Sequence, residues 1–444
     1  MDFATADRIL SAAQNESVSR RYPGRLDRMR AFLAALGNPE RSFASVHVGG
    51  TAGKGSTASM IAAILTHAGY KVGLHTKPHL RSVTERASIG GVHIAPDRFA
   101  EVMSTLLPAI DEMEGTEWGK PSYFELLVAL ALRYFALERV DIAVVEVGIG
   151  GTLDGTNVLE PLASVLTNVG LDHTDVLGDT VEAIATDKAG IIKRDTPVIT
   201  AADHPDAQRV IAQRAEQMHA PLLRVREIAK IEPLPDAAAY SQTFAVATPR
   251  ARHEITIPLM GEFQLINAAT AIVALEAIGE RFPTRSGDVS GGLSSLALPG
   301  RMEFYPSRPS LLFDIAHNHD KAAALAAALA RHFPGKRFVF VVAIAEGKDA
   351  AAMIETWSQL PVQFIFTSFD VSHRAAAQPR SLELIAQSFG AAARAVADPV
   401  EALSVARRIA GGDDLVVVTG STFLVGLLGG WFLENAGAHG HARV

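Results

Sequence analysis

The chain has 444 residues, 48% hydrophobic and 20% charged, with a formal charge of −7, a length that accommodates two or three domains with separate cores. The acidic balance and the lack of a Lys/Arg run argue against a nucleic-acid partner, and the absence of cysteine excludes disulfides, thiolate chemistry and zinc–sulfur sites. The opening MDFATADRIL lacks the blocks of a signal peptide, and the longest apolar runs, Phe338–Ile344 and Phe423–Leu433, are too short or too glycine-broken to span a bilayer. A cytoplasmic protein without membrane contact is expected.

In chain order, residues 1–38 read as two short helices separated at Tyr22-Pro23-Gly24. Phe43–Val48 is strand-like, and Ser56–Gly69 places Met60, Ile61, Ile64, Leu65 and Ala68 at helical spacing. Lys71–Thr76 is a short strand, Pro96–Leu107 and Tyr123–Leu137 are helical, and Asp141–Ile149 and Ala163–Val169 are near-continuous apolar runs. A helix over Thr180–Ala189 and a strand over Pro197–Thr200 follow. Apolar strands alternating with amphipathic helices predict a parallel sheet covered on both faces. Between Ile231 and Pro258, Thr243–Ala247 and His253–Ile257 predict a small antiparallel patch, and Phe263–Ile278 restores a helix. Leu298-Pro299-Gly300 reads as a hinge. Beyond it, strands near Ser310–Ile315, Phe338–Val342, Phe364–Thr367 and Leu415–Thr419 predict a second α/β domain, and the tail from Ala436 is expected to fray.

Between the first strand and helix lies His47–Thr57, HVGGTAGKGST. Strand, glycine-rich turn, Lys, Ser and helix form the layout of a phosphate-binding loop, in which backbone N–H groups and the helix N-terminus face an anion. Lys54 would reach the β/γ phosphates, and the Ser56 or Thr57 hydroxyl would face magnesium. The pattern G-x-x-x-x-G-K-[ST] fails, because Val48 occupies its first glycine position and Gly55 follows the lysine. The shorter G-T-x-G-K-G-[ST], Gly50 to Ser56, fits and resembles the loop of the Mur ligase superfamily. Glu146 ends an apolar strand, where an open α/β sheet binds ligands; it reads as a magnesium ligand or a solvent-facing acid. His173 follows the next strand and reaches the same edge, although a lone histidine is commonly structural. Lys188, by its spacing alone, is a solvated helix residue.

Taken together, Gly50–Ser56, Pro78-His79-Leu80, Glu85-Arg86, Tyr123-Phe124-Glu125, Glu146-Val147-Gly148, Leu153-Asp154, Thr156-Asn157, Asp172-His173-Thr174 and Lys188-Ala189-Gly190 resemble the folylpolyglutamate synthase/dihydrofolate synthase family, a branch of the Mur ligases. The resemblance continues through Gln264, Asn267, Pro299-Gly300-Arg301, Asp314, Ala316-His317-Asn318, Lys348-Asp349 and Gly420-Ser421, from about residue 40 to 430 in collinear order.

That resemblance implies ATP-dependent amide ligation. A carboxylate takes the γ-phosphoryl group, and an amine, L-glutamate's in the family, then displaces phosphate. It implies a nucleotide held by Gly50, Thr51, Gly53, Lys54, Gly55, Ser56, Thr57, Gln264, Asn267, Arg301 and Asp314. One or two magnesium ions would be held by Ser56, Glu146, His173 and Lys188, with Lys188 carbamylated. Lys54, Lys188 and His317 would be catalytic. A folate or dihydropteroate and the incoming glutamate would be contacted by Lys77, His79, Ser122, Phe124, Leu153, Asp154, Gly155, Asn318 and Ser421. A monomer is expected.

There are three departures from the family pattern, one at a magnesium site and two where the acyl substrate would sit. Lys77 stands where the family has a magnesium-binding serine; its ammonium would pair with Glu146 or a phosphate and partly replace one ion, or else swing into solvent. Thr152 and Gly155 flank Leu153-Asp154 where the family has Arg and Ala, which removes a bidentate donor. Arg21-Tyr22-Pro23-Gly24-Arg25-Leu26 replaces a more apolar stretch. A smaller change puts Ala52 where the family prefers Asn. The alternatives are a Mur-type ligase for a non-folate carboxylate, or an inactive nucleotide-binding relative. The expected architecture is α/β: a P-loop-type parallel-sheet ATPase domain over 1–297, a smaller Rossmann-like domain over 298–436 and a flexible tail over 437–444.

Overall fold

A computed structural model describes residues 1–14, 24–236, 240–371 and 374–436. The Tyr22-Pro23 break, the start of the Arg21–Leu26 stretch and the tail over 437–444 lie outside them.

Eight strands form the first sheet: β1 (Ala44–Gly49), β2 (Val72–His75), β3 (Ser88–Ile89), β4 (Val92–His93), β5 (Ile142–Glu146), β6 (Ala163–Leu166), β7 (Val198–Thr200) and β8 (Leu222–Arg224). Their order is β4-β3-β2-β5-β1-β6-β7-β8. From β2 to β8 every pairing is parallel, and β1, β5 and β6 are buried along their whole length, as a sheet covered on both faces requires. One face packs the helices Lys54–His67 and Phe263–Ala277; the other packs Phe3–Gln14, Arg25–Ala35, Pro96–Glu114 and Tyr123–Leu137.

Two local features differ from the sequence expectation. The edge is antiparallel: β3 and β4 form a hairpin through Gly90 (φ 58°) and Gly91 (φ 81°), the doubly positive φ that a tight hairpin turn needs. The helix from Pro96 also continues past Pro108 to Glu114. Leu106, Ala109, Ile110 and Met113 keep one face buried across the proline, and that packing outweighs the missing backbone donor.

The antiparallel patch is a three-stranded sheet of β9 (Lys230–Pro233), β10 (Gln242–Ala247) and β11 (Arg252–Ile257). The third sheet comprises β12 (Glu303–Tyr305), β13 (Ser310–Phe313), β14 (Phe338–Val342), β15 (Val362–Phe366), β16 (Ala392–Ala395) and β17 (Leu415–Thr419), in the order β12-β13-β17-β14-β15-β16. All its pairs are parallel except β12 with β13. Sequence reading omits both edges, β12 and the alanine-rich β16, which carry the weakest apolar signal. Among the described residues, no helix is long and apolar enough to cross a membrane.

A buried ion pair anchors Arg25–Ala35 to the start of Tyr123–Leu137. Arg28 Nη2 lies 2.8 Å from Glu125 Oε2, with side chains 4% and 0% exposed. The same carboxylate oxygen accepts the Ser122 amide (2.7 Å) and hydroxyl (2.8 Å), forming a capping box. Glu125→Gln leaves the Arg28 charge buried without its counter-charge and is expected to cost about 3–5 kcal/mol in a urea titration. The double variant Arg28→Met/Glu125→Leu should lose much less; an equal loss would show that packing, not charge, holds the joint.

Candidate active site

At the end of β1 the chain turns through Gly50–Gly53 into the helix Lys54–His67. Gly50 has φ +134°, and a Cβ there would fall 2.1 Å from Thr167 Oγ1. At Gly53 (φ +81°) a Cβ would fall 2.4 Å from Asn267 Oδ1. Both positions therefore demand glycine. Gly50→Ala is expected to cost about 1–3 kcal/mol of strain and weaken ADP binding at least tenfold by isothermal titration; unchanged affinity would show that the loop does not carry the phosphates.

The loop is braced from the end of β6. The Thr51 amide donates to Asn168 O (2.8 Å), the Ala52 amide to Asn168 Oδ1 (2.7 Å) and Thr167 Oγ1 to Ala52 O (2.6 Å). The Thr57 amide donates back to Gly53 O at 2.8 Å; the amides of Lys54, Gly55 and Ser56 precede it at a helix start, where donors have no intrahelical partner. Lys54 Nζ donates to Gly50 O (3.1 Å) and Thr51 O (3.3 Å), and Lys188 Nζ donates to Gly50 O at 2.9 Å. Two cations thus converge on one carbonyl. Burial, with Lys54 adding repulsion, pushes Lys188 down to about 7, so its neutral amine is accessible near neutrality.

Gly55 marks where the two halves meet. A Cβ there would lie 3.1 Å from Glu146 Oε2 and 3.4 Å from Arg301 Nη2. Glu146, paired with Val48 across β5 and β1, accepts the Lys77 backbone amide at 3.0 Å. The contact expected for the Lys77 ammonium is thus made by its amide. Burial and then Lys54 lower the Lys77 side chain to about 8. His173, at φ 51°, sits 4.0 Å from Asp172 (Nε2 to Oδ2), and burial pushes it down to about 4, keeping the imidazole neutral. Burial opposes ionisation of Asp172, but His173, Lys321 and Lys54 hold its carboxyl below the usual range.

Asn267 Nδ2 donates to Gln264 Oε1 at 2.9 Å. Beyond the Leu298–Gly300 turn, Asp314 accepts the amides of Met302 (3.0 Å) and Ala316 (2.9 Å). His317 Nδ1 donates to Ile315 O (2.8 Å), leaving Nε2 to accept from Lys321 Nζ at 3.1 Å. Burial and Lys321 push His317 down to about 3. Burial raises Asp314 to about 6. The folded state therefore holds that proton more tightly than the unfolded chain, and this group's contribution to stability falls as pH rises from about 4 to about 6. Asp314→Asn is expected to abolish that fall, so its melting temperature relative to wild type should rise over the same interval; a pH-independent difference would contradict the assignment.

A cavity of about 1110 Å³ opens beside the loop, lined by Lys77, Arg86, Phe124, Leu153, Asp154 and His173 on one side and by Asn318, Lys348 and Arg374 on the other. A second cavity, about 810 Å³, is bounded by Gly55, Lys77, Leu298, Pro299 and Arg301. Ser56 and Thr57 are buried at the helix start. His79 Nδ1 accepts from Arg86 Nε (3.0 Å), Ser122 caps its helix, and Gly155 packs at ordinary distance on Glu125. Ser421 lines neither cavity; its Oγ accepts the Phe423 amide at 3.1 Å. Sequence reasoning passed over Asn168 and Lys321. Asn168 sits at the same sheet edge as Glu146 and could have been found by that rule; Lys321 lies in the first turn of the helix His319–His332, which His317 precedes.

Among the described residues no group of three or more His, Asp or Glu side chains forms a metal cage. Magnesium seldom uses one: it keeps waters and binds through one or two protein ligands plus nucleotide phosphates. Ser56, Glu146 and the neutral His173 fit that role, and the surrounding cations fit a polyphosphate.

The chain matches the model of the Mur ligase middle domain over residues 48–275 and that of the Mur ligase glutamate ligase domain over 300–422. It is 33% identical over 411 residues to the dihydrofolate synthase/folylpolyglutamate synthase of Bacillus subtilis, covering 91% of this chain and 93% of that one. The chain belongs to the folylpolyglutamate synthase/dihydrofolate synthase family of Mur ligases. A second family member, the folylpolyglutamate synthase of Lacticaseibacillus casei, is 35% identical over 332 residues, 74% of this chain and 77% of its own. Among solved family structures, the Mycobacterium tuberculosis folylpolyglutamate synthase complexed with ADP superimposes with a TM-score of 0.88 at 29% identity, covering 97% of this chain and 98% of that one. Escherichia coli FolC in complex with DHPP and ADP gives 0.85 at 26%, covering 98% and 99%. The family places this chain among the ATP-dependent amide ligases.

Proposed function

We propose that this ligase joins L-glutamate to the carboxylate of a folate or dihydropteroate through an acyl phosphate. The observation that carries the reading is the junction at Gly55, where the phosphate loop, Glu146 and Arg301, just past the Leu298–Gly300 turn, converge at a cavity that Gly55 and Arg301 both line. The dividing line between the two halves is placed at the Leu298–Gly300 turn, with residues 1–297 and 298–436 as the two domains.

In this reading the amides of Lys54, Gly55 and Ser56 and the Lys54 ammonium hold the β and γ phosphates, with Gln264, Asn267, Arg301 and Asp314 placing the rest of the nucleotide. An acyl carboxylate oxygen attacks the γ-phosphorus and ADP leaves. The neutral amine of glutamate then attacks the acyl carbon, and phosphate departs with the former carboxylate oxygen while the amine loses a proton. Lys54 neutralises charge on the moving phosphoryl group. Ser56, Glu146, His173 and Lys188, the last as a carbamate, would hold magnesium, which when bound neutralises further phosphate charge. Phe124, Leu153 and Asp154 line the acyl side of the larger cavity, with Gly155 behind them, and Asn318 and Lys348 line the amino-acid side, with His317 next to Asn318 in the chain. Two opposed walls exclude the water that would hydrolyse an acyl phosphate.

The test is phosphate release from magnesium–ATP with dihydropteroate or tetrahydrofolate, with and without L-glutamate. Release that needs both acyl substrate and glutamate is expected. Release that needs glutamate but ignores either folate would move the assignment to another carboxylate and turn attention to Thr152–Gly155. No release under any combination would favour an inactive nucleotide-binding relative.

A further inference from the structure

His47 occupies a position where the strand pattern calls for an apolar residue. It lies on β1 opposite Val145, is fully buried, and sits three residues before the phosphate loop. Its Nε2 is 2.8 Å from Thr156 Oγ1, and that oxygen is 2.5 Å from Asp154 Oδ1. The direction of the chain follows from the chemistry of the groups. A carboxylate only accepts, so the single Thr156 hydroxyl proton goes to Asp154, and Thr156 must accept from His47. His47 is therefore the Nε2–H tautomer. Consistent with this, its Nδ1 is buried and has no hydrogen-bond partner among the described residues. Burial also pushes the imidazole down to about 3, so it stays neutral at any working pH.

The chain ends on a carboxylate that lines the larger cavity. Asp154 Oδ1 also accepts the Thr156 amide (3.0 Å), and Oδ2 accepts the Ile149 amide (3.0 Å). A Cβ on Gly148 would fall 2.7 Å from Oδ2 and 2.4 Å from Phe124 Cζ, so the carboxylate, Gly148 and the Phe124 ring form one closely fitted wall. We propose that His47 is a positioning residue for the acyl substrate, acting through Thr156 to hold Asp154 in one orientation against the cavity. The strand that carries the phosphate loop then also sets the acyl wall. This rests on the reading of that cavity as the acyl site.

Two measurements separate the proposal from its premise. The first is the two-bond ¹⁵N–¹H spectrum of ¹⁵N-histidine-labelled protein from pH 5 to 8, with His47 assigned by its loss in His47→Gln. A pure Nε2–H pattern, unchanged across this range and lost as a single tautomer in Thr156→Val but kept in Thr156→Ser, is expected. A titrating or mixed-tautomer signal in wild type would overturn the proposal whatever the substrate. The second is the affinity for dihydropteroate and for ADP by isothermal titration. His47→Leu and Thr156→Val should each weaken dihydropteroate at least tenfold and leave ADP within twofold, the double variant should be no worse than either, and Thr156→Ser and His47→Gln should recover most of the loss. Weakening by Asp154→Asn without an effect of His47→Leu or Thr156→Val would overturn the proposal. No effect of Asp154→Asn, or no dihydropteroate binding by wild type, would instead overturn the acyl-site reading and with it the role toward the acyl substrate, the spectrum then showing separately whether His47 orients Asp154 through Thr156. Should His47→Leu fail to fold, the Thr156→Val and Thr156→Ser pair carries the comparison.

Discussion

Replacing Lys54 by methionine is expected to lower kcat for ligation by about 10³-fold while the protein keeps its fold. Among the described residues the side chain donates only to carbonyls of its own loop, Gly50 O and Thr51 O, so its removal breaks no long-range hydrogen bond described there. What is lost is a positive charge within reach of the transferring phosphoryl group, in a site where little covalent chemistry falls to the protein and charge stabilisation does most of the work. Steady-state kinetics with a melting curve on the same preparation checks it. A variant that keeps its melting temperature and loses less than about tenfold in kcat would place phosphoryl transfer elsewhere.

Lys188→Ala should lose about 10²-fold or more in kcat and regain part of it with millimolar acetate or formate. An ammonium at 2.9 Å from Gly50 O, facing Lys54 across the same carbonyl, adds repulsion between cations, whereas a carbamate brings an anion that a metal and a crowd of lysines would hold. Carbamate forms when the neutral amine attacks carbon dioxide and releases a proton. With the amine lowered to about 7, the neutral fraction grows as pH rises through that value. Activity of wild-type protein depleted of carbon dioxide should therefore recover under a fixed partial pressure of carbon dioxide, faster at pH 8 than at pH 6. A ¹³C-bicarbonate signal in wild type and its absence in Lys188→Ala would identify the carbamate. Full activity of Lys188→Ala without added carboxylate would refute the role.

The fold was largely legible because its central strands are buried on both faces and its punctuation is glycine and proline. Tyr123–Leu137 matches its sequence bounds because Ser122 and Glu125 cap it. The helix through Pro108 is held by packing and the alanine-rich β16 by pairing with β15, while β3, β4 and β12 are too short to show an alternating pattern. The site divides similarly. Gly50–Ser56 and Glu146 follow from local rules, a loop before a helix and an acid at a strand's carboxyl end. Lys188 does not, since a lysine inside an amphipathic helix looks solvated until the fold brings it to Gly50. Asp314 and His317 lie just past β13 of the third sheet, and no local pattern in the sequence ties them to the loop after β1. Lys77 was expected to set its ammonium against Glu146 or a phosphate, or to swing into solvent; what charge reasoning could not supply is the Lys77 backbone amide, which donates to Glu146.

The central claim is that a substrate carboxylate, not water, takes the γ-phosphoryl group of ATP. It is tested most directly by running the reaction with dihydropteroate labelled with ¹⁸O in its carboxylate, plus L-glutamate, and reading the released phosphate by ³¹P NMR. The account predicts one ¹⁸O atom transferred to each phosphate formed, in step with amide product. Phosphate free of ¹⁸O, released at the same rate as ADP, would contradict it.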